Sequence, residues 1–208
     1  MASLIEDYAL LGDLHTAALV AKDGSMDWLC LPKFDSSACF ASLIGTEDNG
    51  FWRIAPTSGG QCDRRHYRGD TLVLESEWDT HDGTVRVIDA MPPRGEAADV
   101  VRIVEGVSGR VRVRVDLRLR FDYGHVVPWM QRERAGDHTA RLVGVAGPDS
   151  VSIDTPVHLE GRHLTSCAEF EVGAGDRVPF VLTYAPSYDP APPRVDAEKA
   201  LRDTEAVW

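Results

Sequence analysis

The chain has 208 residues, a formal net charge of −11 and a sequence pI near 5.0. That balance repels nucleic acid and anionic membrane surfaces and puts no bar on a neutral ligand such as a sugar. Hydrophobic residues make up 43% and charged residues 26%, the proportions of a folded soluble chain, which excludes disorder as the default, and no run approaches the roughly 18 apolar residues of a membrane-spanning helix.

In chain order, residues 1–7 lack the basic-then-apolar order of a secretory signal. Strands are expected over 15–21 and 25–31, flanking the turn signal Lys22-Asp23-Gly24. A second hairpin is expected from 71–78 and 84–90 around Thr80-His81-Asp82-Gly83. A strand over 100–106 then gives way at Ser108-Gly109 to the clearest run in the chain. There Val111, Val113, Val115, Leu117, Leu119 and Phe121 alternate with Arg110, Arg112, Arg114, Asp116, Arg118 and Arg120. Only a strand puts those two sets on opposite faces, and at this length it is about twice the usual size. Further strands are expected over 138–145, 151–153, 163–172 and 177–184, punctuated by Gly147-Pro148-Asp149 and by residues 173–176. Ten or so strands joined by short turns imply an all-β fold, an antiparallel sandwich occupying residues 1–189.

The pattern changes near Ser187. Pro190, Pro192 and Pro193 make a stiff linker, and Val195 to Trp208 has helix composition with Asp196 placed to cap it. Residues 190–208 thus read as a linker and the start of a linker helix. Because the chain stops inside an amphipathic helix, a piece of a longer protein is expected.

Cys30, Cys39, Cys62 and Cys167 are too scattered for a zinc ribbon or a Cys-x-x-Cys pair. A chain of this size needs no disulfide staples, so free thiols in a reducing cytosol are expected.

Three blocks stand out near the start: Ile5-Glu6-Asp7-Tyr8-Ala9-Leu10-Leu11-Gly12-Asp13, Thr16-Ala17-Ala18-Leu19-Val20 and the stretch from Asp23 to Ser36 that contains Met26-Asp27-Trp28-Leu29-Cys30-Leu31-Pro32. Tyr67-Arg68-Gly69-Asp70, Val101-Arg102-Ile103-Val104 and Leu119-Arg120-Phe121-Asp122-Tyr123-Gly124 follow along the chain. Together these blocks resemble the trehalase-like members of glycoside hydrolase family fifteen. The resemblance implies an N-terminal antiparallel β-supersandwich followed by a linker helix and a catalytic toroid of paired helices. In such enzymes one carboxylic acid protonates the glycosidic oxygen and one carboxylate activates water, and both belong to the toroid. It therefore implies no catalytic residue, cofactor or metal in this chain, and a role in docking on the helical domain of the same polypeptide, whose substrate is an α-glucoside. An independent carbohydrate-binding module is the alternative. The family block often has arginine where this chain has Lys33, and lysine offers a point charge in place of a bidentate fork.

Two stretches are candidates for sugar or domain contact. Asp27, Trp28, Lys33, Phe34 and Asp35 combine rings and carboxylates around Pro32, and Tyr123 and Trp129 form a second aromatic pair. The competing reading packs Trp28 and Phe34 in the core, and lays Tyr123 and Trp129 over a sheet edge. The arginine stripe at 112, 114, 118 and 120 is either an acid-paired outer face or a partner surface; nucleic acid and membrane are not expected to bind it. The seven histidines are scattered; His158 and His163 lie closest, around a turn, with no third ligand nearby in sequence. Exposed apolar groups near the first stretch and at Trp208 would let the isolated domain self-associate.

Overall fold

A computed structural model describes residues 3–135 and 139–208. These residues form fifteen strands and one α-helix, together with short 3-10 turns. The strands are β1 (Ala9–Gly12), β2 (Ala17–Val20), β3 (Ser25–Cys30), β4 (Ala38–Phe40), β5 (Phe51–Pro56), β6 (Arg64–Tyr67), β7 (Leu74–Thr80), β8 (Gly83–Ala90), β9 (Ala98–Arg118), β10 (Trp129–Ala135), β11 (Thr139–Ala146), β12 (Asp149–Thr155), β13 (Glu160–Arg162), β14 (Thr165–Gly173) and β15 (Arg177–Pro186); the helix is α1 (Ala197–Val207). The strand expected to begin at His138 starts outside the described residues.

All pairings are antiparallel, and the expected all-β sandwich is present. The first sheet runs β1-β2-β3-β5-β9-β14-β13, with β4 alongside β3. The second runs β6-β7-β8-β9-β15-β12-β11-β10. Strand β9 belongs to both: residues 98–105 pair with β15 and residues 110–117 with β14. The sequence reading of two strands separated at Ser108-Gly109 is thereby corrected. Gly109 sits at φ 65° and bends one continuous 21-residue strand from sheet to sheet.

The bend changes which residues face inward. Opposite β8 the register jumps from Val85↔Gly106 to Thr84↔Ser108, leaving Val107 as the extra residue of a bulge. Before it, Val100 and Val104 face the core between the sheets; after it, Val111, Val113 and Val115 do. The inward parity switches from even to odd, as one inserted residue requires. Phe170 on β14 and Phe180 on β15 meet across the sheets with ring centroids 5.8 Å apart.

On the outer face of the second sheet, Val101, Ile103, Val73, Ile88, Ala90 and Val181 pack against Ala197, Ala200 and Leu201 of α1. The Asp196 side chain caps this helix by accepting from the Glu198 and Lys199 amides, both at 3.0 Å. The second sheet is therefore covered on both sides, which is why its central strands carry apolar residues at consecutive positions.

Antiparallel pairing gathers a set of loops at one end. The β1–β2 turn, the end of β3, the start of β5, the end of β9 and the start of β14 share one end of the first sheet. The start of β9, the end of β15, the start of β12 and the start of β10 share one end of the second. Arg94, between β8 and β9, reaches Asp13 and the Pro32 carbonyl, so the two ends coincide. The linker starts there, with Ser187 N donating to Pro148 O. It crosses β11 and β12, where Arg141 meets Pro192 O and Arg194 meets Asp154. Helix α1 then runs back, from Glu198 beside Arg177 to Glu205 beside Arg68. Val207 and Trp208 emerge, exposed, at the loop end.

Candidate functional site

Strand β3 carries Asp27 and Trp28 side by side on its outer face, at a bulge between the inward-facing Met26 and Leu29. The Asp27 carboxylate accepts hydrogen bonds from three hydroxyls: Tyr8 at 2.7 Å, Ser25 at 2.5 Å and Ser42 at 2.8 Å. It thereby joins the segment before β1, β3 itself and the turn after β4. Burial, reinforced by the Asp27 carboxylate, pushes the Tyr8 phenol well above its ordinary range, so the tyrosine stays a donor. Beside Asp27, half-buried Trp28 packs against Cys30, Ala38 and Ala41. Its ring meets Tyr123 at a centroid distance of 6.1 Å, tilted by 42°.

Tyr123 sits in a 3-10 turn, Asp122–Gly124. Asp122 and Tyr123 both take positive φ, 49° and 56°, and Asn49 Nδ2 donates to the Tyr123 carbonyl at 2.8 Å. The structure thus joins Trp28, from one candidate stretch, to Tyr123, from the other. Among the described residues no ring contact joins Tyr123 to Trp129. Trp129 opens β10 and is 72% exposed.

After β3 the chain turns at a cis Leu31–Pro32 bond. Lys33 and Ser36 close the turn through hydrogen bonds at 3.1 Å in each direction. Phe34 N donates to the His15 carbonyl, and Arg94 grips Asp13 through two bonds of 2.8 and 2.6 Å while its Nη1 donates to the Pro32 carbonyl at 2.7 Å. Asp13 also accepts from the His15 and Thr16 amides. One arginine therefore fixes three loops, and the platform they form holds Lys33, Phe34 and Asp35 in solvent. Phe34 is 65% exposed and neighbouring Leu14 74%. Arg94 and Asp13 had no sequence signal, since 81 residues separate them.

The arginine stripe is paired with acids over most of its length. Arg112 faces Glu171 at 3.7 Å, Arg114 holds Asp116 at 2.7 Å and Arg118 binds Asp48. Arg120 departs from the stripe: the strand ends at Arg118, and Arg120 turns into the protein. Among the described residues no three histidine, cysteine, aspartate or glutamate side chains converge on a possible metal position. The carboxylates fixed at this end, Asp13, Asp27 and Asp149, are each engaged by donors within the domain. What the end offers outward is rings, aliphatic groups and a few exposed charges.

The sequence as a whole matches the family model described as trehalase-like, N-terminal, over residues 1–208. The chain belongs to this family. Among its relatives, the trehalase of Mycolicibacterium smegmatis is 29% identical over 231 residues, covering 97% of this chain and 33% of the relative. The trehalase of Mycobacterium tuberculosis is 28% identical over 227 residues, with the same two shares. The trehalase of Thermoplasma volcanium is 32% identical over 139 residues, covering 64% of this chain and 22% of that protein. This trehalase-like N-terminal domain thus spans about a third of the length of the mycobacterial relatives. No helix in its described residues is long and apolar enough to cross a membrane.

Proposed function

We propose that this domain is the non-catalytic N-terminal part of a trehalase-like or glucoamylase-like inverting glycoside hydrolase. It docks through its loop end on a helical catalytic domain of the same polypeptide that hydrolyses trehalose or a related α-glucoside. The observation that carries the reading is the coincidence of two things at one end. Rigidly held loops present exposed Leu14 and Phe34 there, and α1 delivers exposed Val207 and Trp208 to the same place. Interdomain surfaces are mixed in character, so exposed Lys33 and Asp35 fit the same role. The acid and base of hydrolysis belong, in this reading, to the helical part. Four free cysteines suit a reducing cytosol.

The second reading, an independent carbohydrate-binding module, draws on Trp129 and Phe34, since exposed rings stack on sugar faces. Titration calorimetry of this domain with trehalose and maltose separates the two. Docking predicts no heat up to millimolar sugar and no glucose release; saturable heat lost on replacing Phe34 or Trp129 would move the function to sugar binding.

A further inference from the structure

Arg120 is 6% exposed, yet among the described residues no carboxylate pairs with it. Its Nη1 donates to the Leu119 carbonyl at 2.7 Å and reaches the Leu164 carbonyl at 3.5 Å. No hydrogen bond among the described residues uses its Nε or Nη2. The acid that acts on it, Asp48, is itself bound by Arg118. Buried arginines are ordinarily matched by a carboxylate, as Arg102 and Arg141 are here by Asp89 and Asp154. Burial accordingly pulls the Arg120 guanidinium below its ordinary range.

Arg120 lines a cavity of about 320 Å³ between the end of β9, the start of β10 and the β13–β14 turn, together with exposed Arg132, which donates to the Leu159 carbonyl. Leu117, Leu119, Leu142, Leu159, Val127 and Met130 supply its apolar walls. Leu164, at the β13–β14 turn, is 69% exposed. The cavity is concave and largely apolar, with one buried cation offering a planar fork, the arrangement that binds a small ligand by burying its body and fixing its charged head.

We propose that this cavity is a binding site for a carboxylate carried on an aliphatic body, with Arg120 taking the carboxylate and the leucine-lined walls taking the body. The carboxylate can arrive as a free aliphatic acid or as an acidic residue flanked by apolar ones in a polypeptide. The proposal stands apart from the docking reading, because a free acid fills the cavity whether or not a further domain docks.

The test uses this domain, with hexanoate, hexanol and the capped tripeptide acetyl-Leu-Glu-Leu-amide as probes, followed by amide chemical shifts and calorimetry. Hexanoate or the peptide should bind saturably and shift the amides of residues 119–120 and 164–166, and hexanol should bind more weakly by about tenfold or more, the weight of a charge-assisted hydrogen bond. Which of the two probes binds identifies the source. Arg120→Met should bring hexanoate down to the level of hexanol, and Arg120→Lys should restore only part of the difference. Equal binding of hexanoate and hexanol to the unmodified domain would overturn the assignment, and so would no binding by either carboxylate. Neither result depends on a variant folding, and neither bears on whether trehalose is bound.

Discussion

At the scale of single residues, the interior is pinned by charge as well as by packing. Arg102 is fully buried and reaches across the sandwich. It donates to Asp89 at 2.7 Å, to the Trp52 carbonyl at 2.6 Å and to the Gly24 carbonyl at 2.8 Å, with its guanidinium 5.1 Å from the centre of the Trp52 ring. Removing one partner leaves an uncompensated charge in a dry core. Asp89→Ala should therefore lower stability by about 3–5 kcal/mol, read as a fall in the urea midpoint. A loss below about 1 kcal/mol would show that the pair does not hold the sheets together. Asp99 gives a pH dependence. Burial raises its carboxyl above the ordinary range, against a 2.6 Å hydrogen bond from Thr183. The folded state then holds this proton more tightly than the unfolded chain does. Its contribution to stability is intact below the ordinary carboxylate range and falls as pH climbs through the raised value. Asp99→Asn should be more stable than the parent at neutral pH and lose that advantage in acid; melting curves across pH decide it.

At the scale of elements, the bend in β9 depends on close backbone approach. A Cβ on Gly106 would lie 2.0 Å from the carbonyl oxygen of Gly173, the last residue of β14. Gly106→Ala should cost on the order of 3 kcal/mol or more, or prevent folding, measured by soluble yield and thermal melting. Helix α1 rests on fewer contacts, and Leu201→Ala should cost about 2–5 kcal/mol. The same scale explains what the amino-acid order disclosed. The second half of β9 was legible because one of its faces meets solvent, so its side chains alternate without a break. Strand β4 has three residues, all buried, and β13 has three, all exposed, so neither shows a period. In β5 five of six residues are buried, which erases alternation. The exposed platform residues lay within a block visible in the sequence. The network that fixes them did not, because Arg94, Asp13 and Pro32 come from three separate segments. Arg120 read as one more member of a surface stripe; only the end of the strand turns it inward.

At the scale of the whole molecule, the loop end gathers exposed apolar side chains, Leu14, Phe34, Trp129 and Trp208 among them, the kind of surface through which copies associate. The isolated domain should self-associate reversibly at high concentration through this end. Sedimentation velocity over a concentration series should show it, and the double variant Phe34→Ser with Trp129→Ser should remain monomeric. Association undiminished by that variant would place the contact elsewhere.

The shared strand has a further consequence for how the molecule opens. Sandwiches built from two separate sheets can part along the layer between them, each half keeping its own ladder for a time. Here residues 98–105 and 110–117 are one run of backbone, hydrogen-bonded into both layers. Freeing either half strains the other at Gly109. Amides on both sides of the bend, Val101 and Val113 for instance, should therefore exchange with deuterium at one common slow rate set by global unfolding. The helix, which only rests on one face of that strand, and the edge strands β1 and β10, which lie away from it, should exchange sooner. The domain is in this respect a single cooperative unit stitched by one thread, and its two layers have no separate existence.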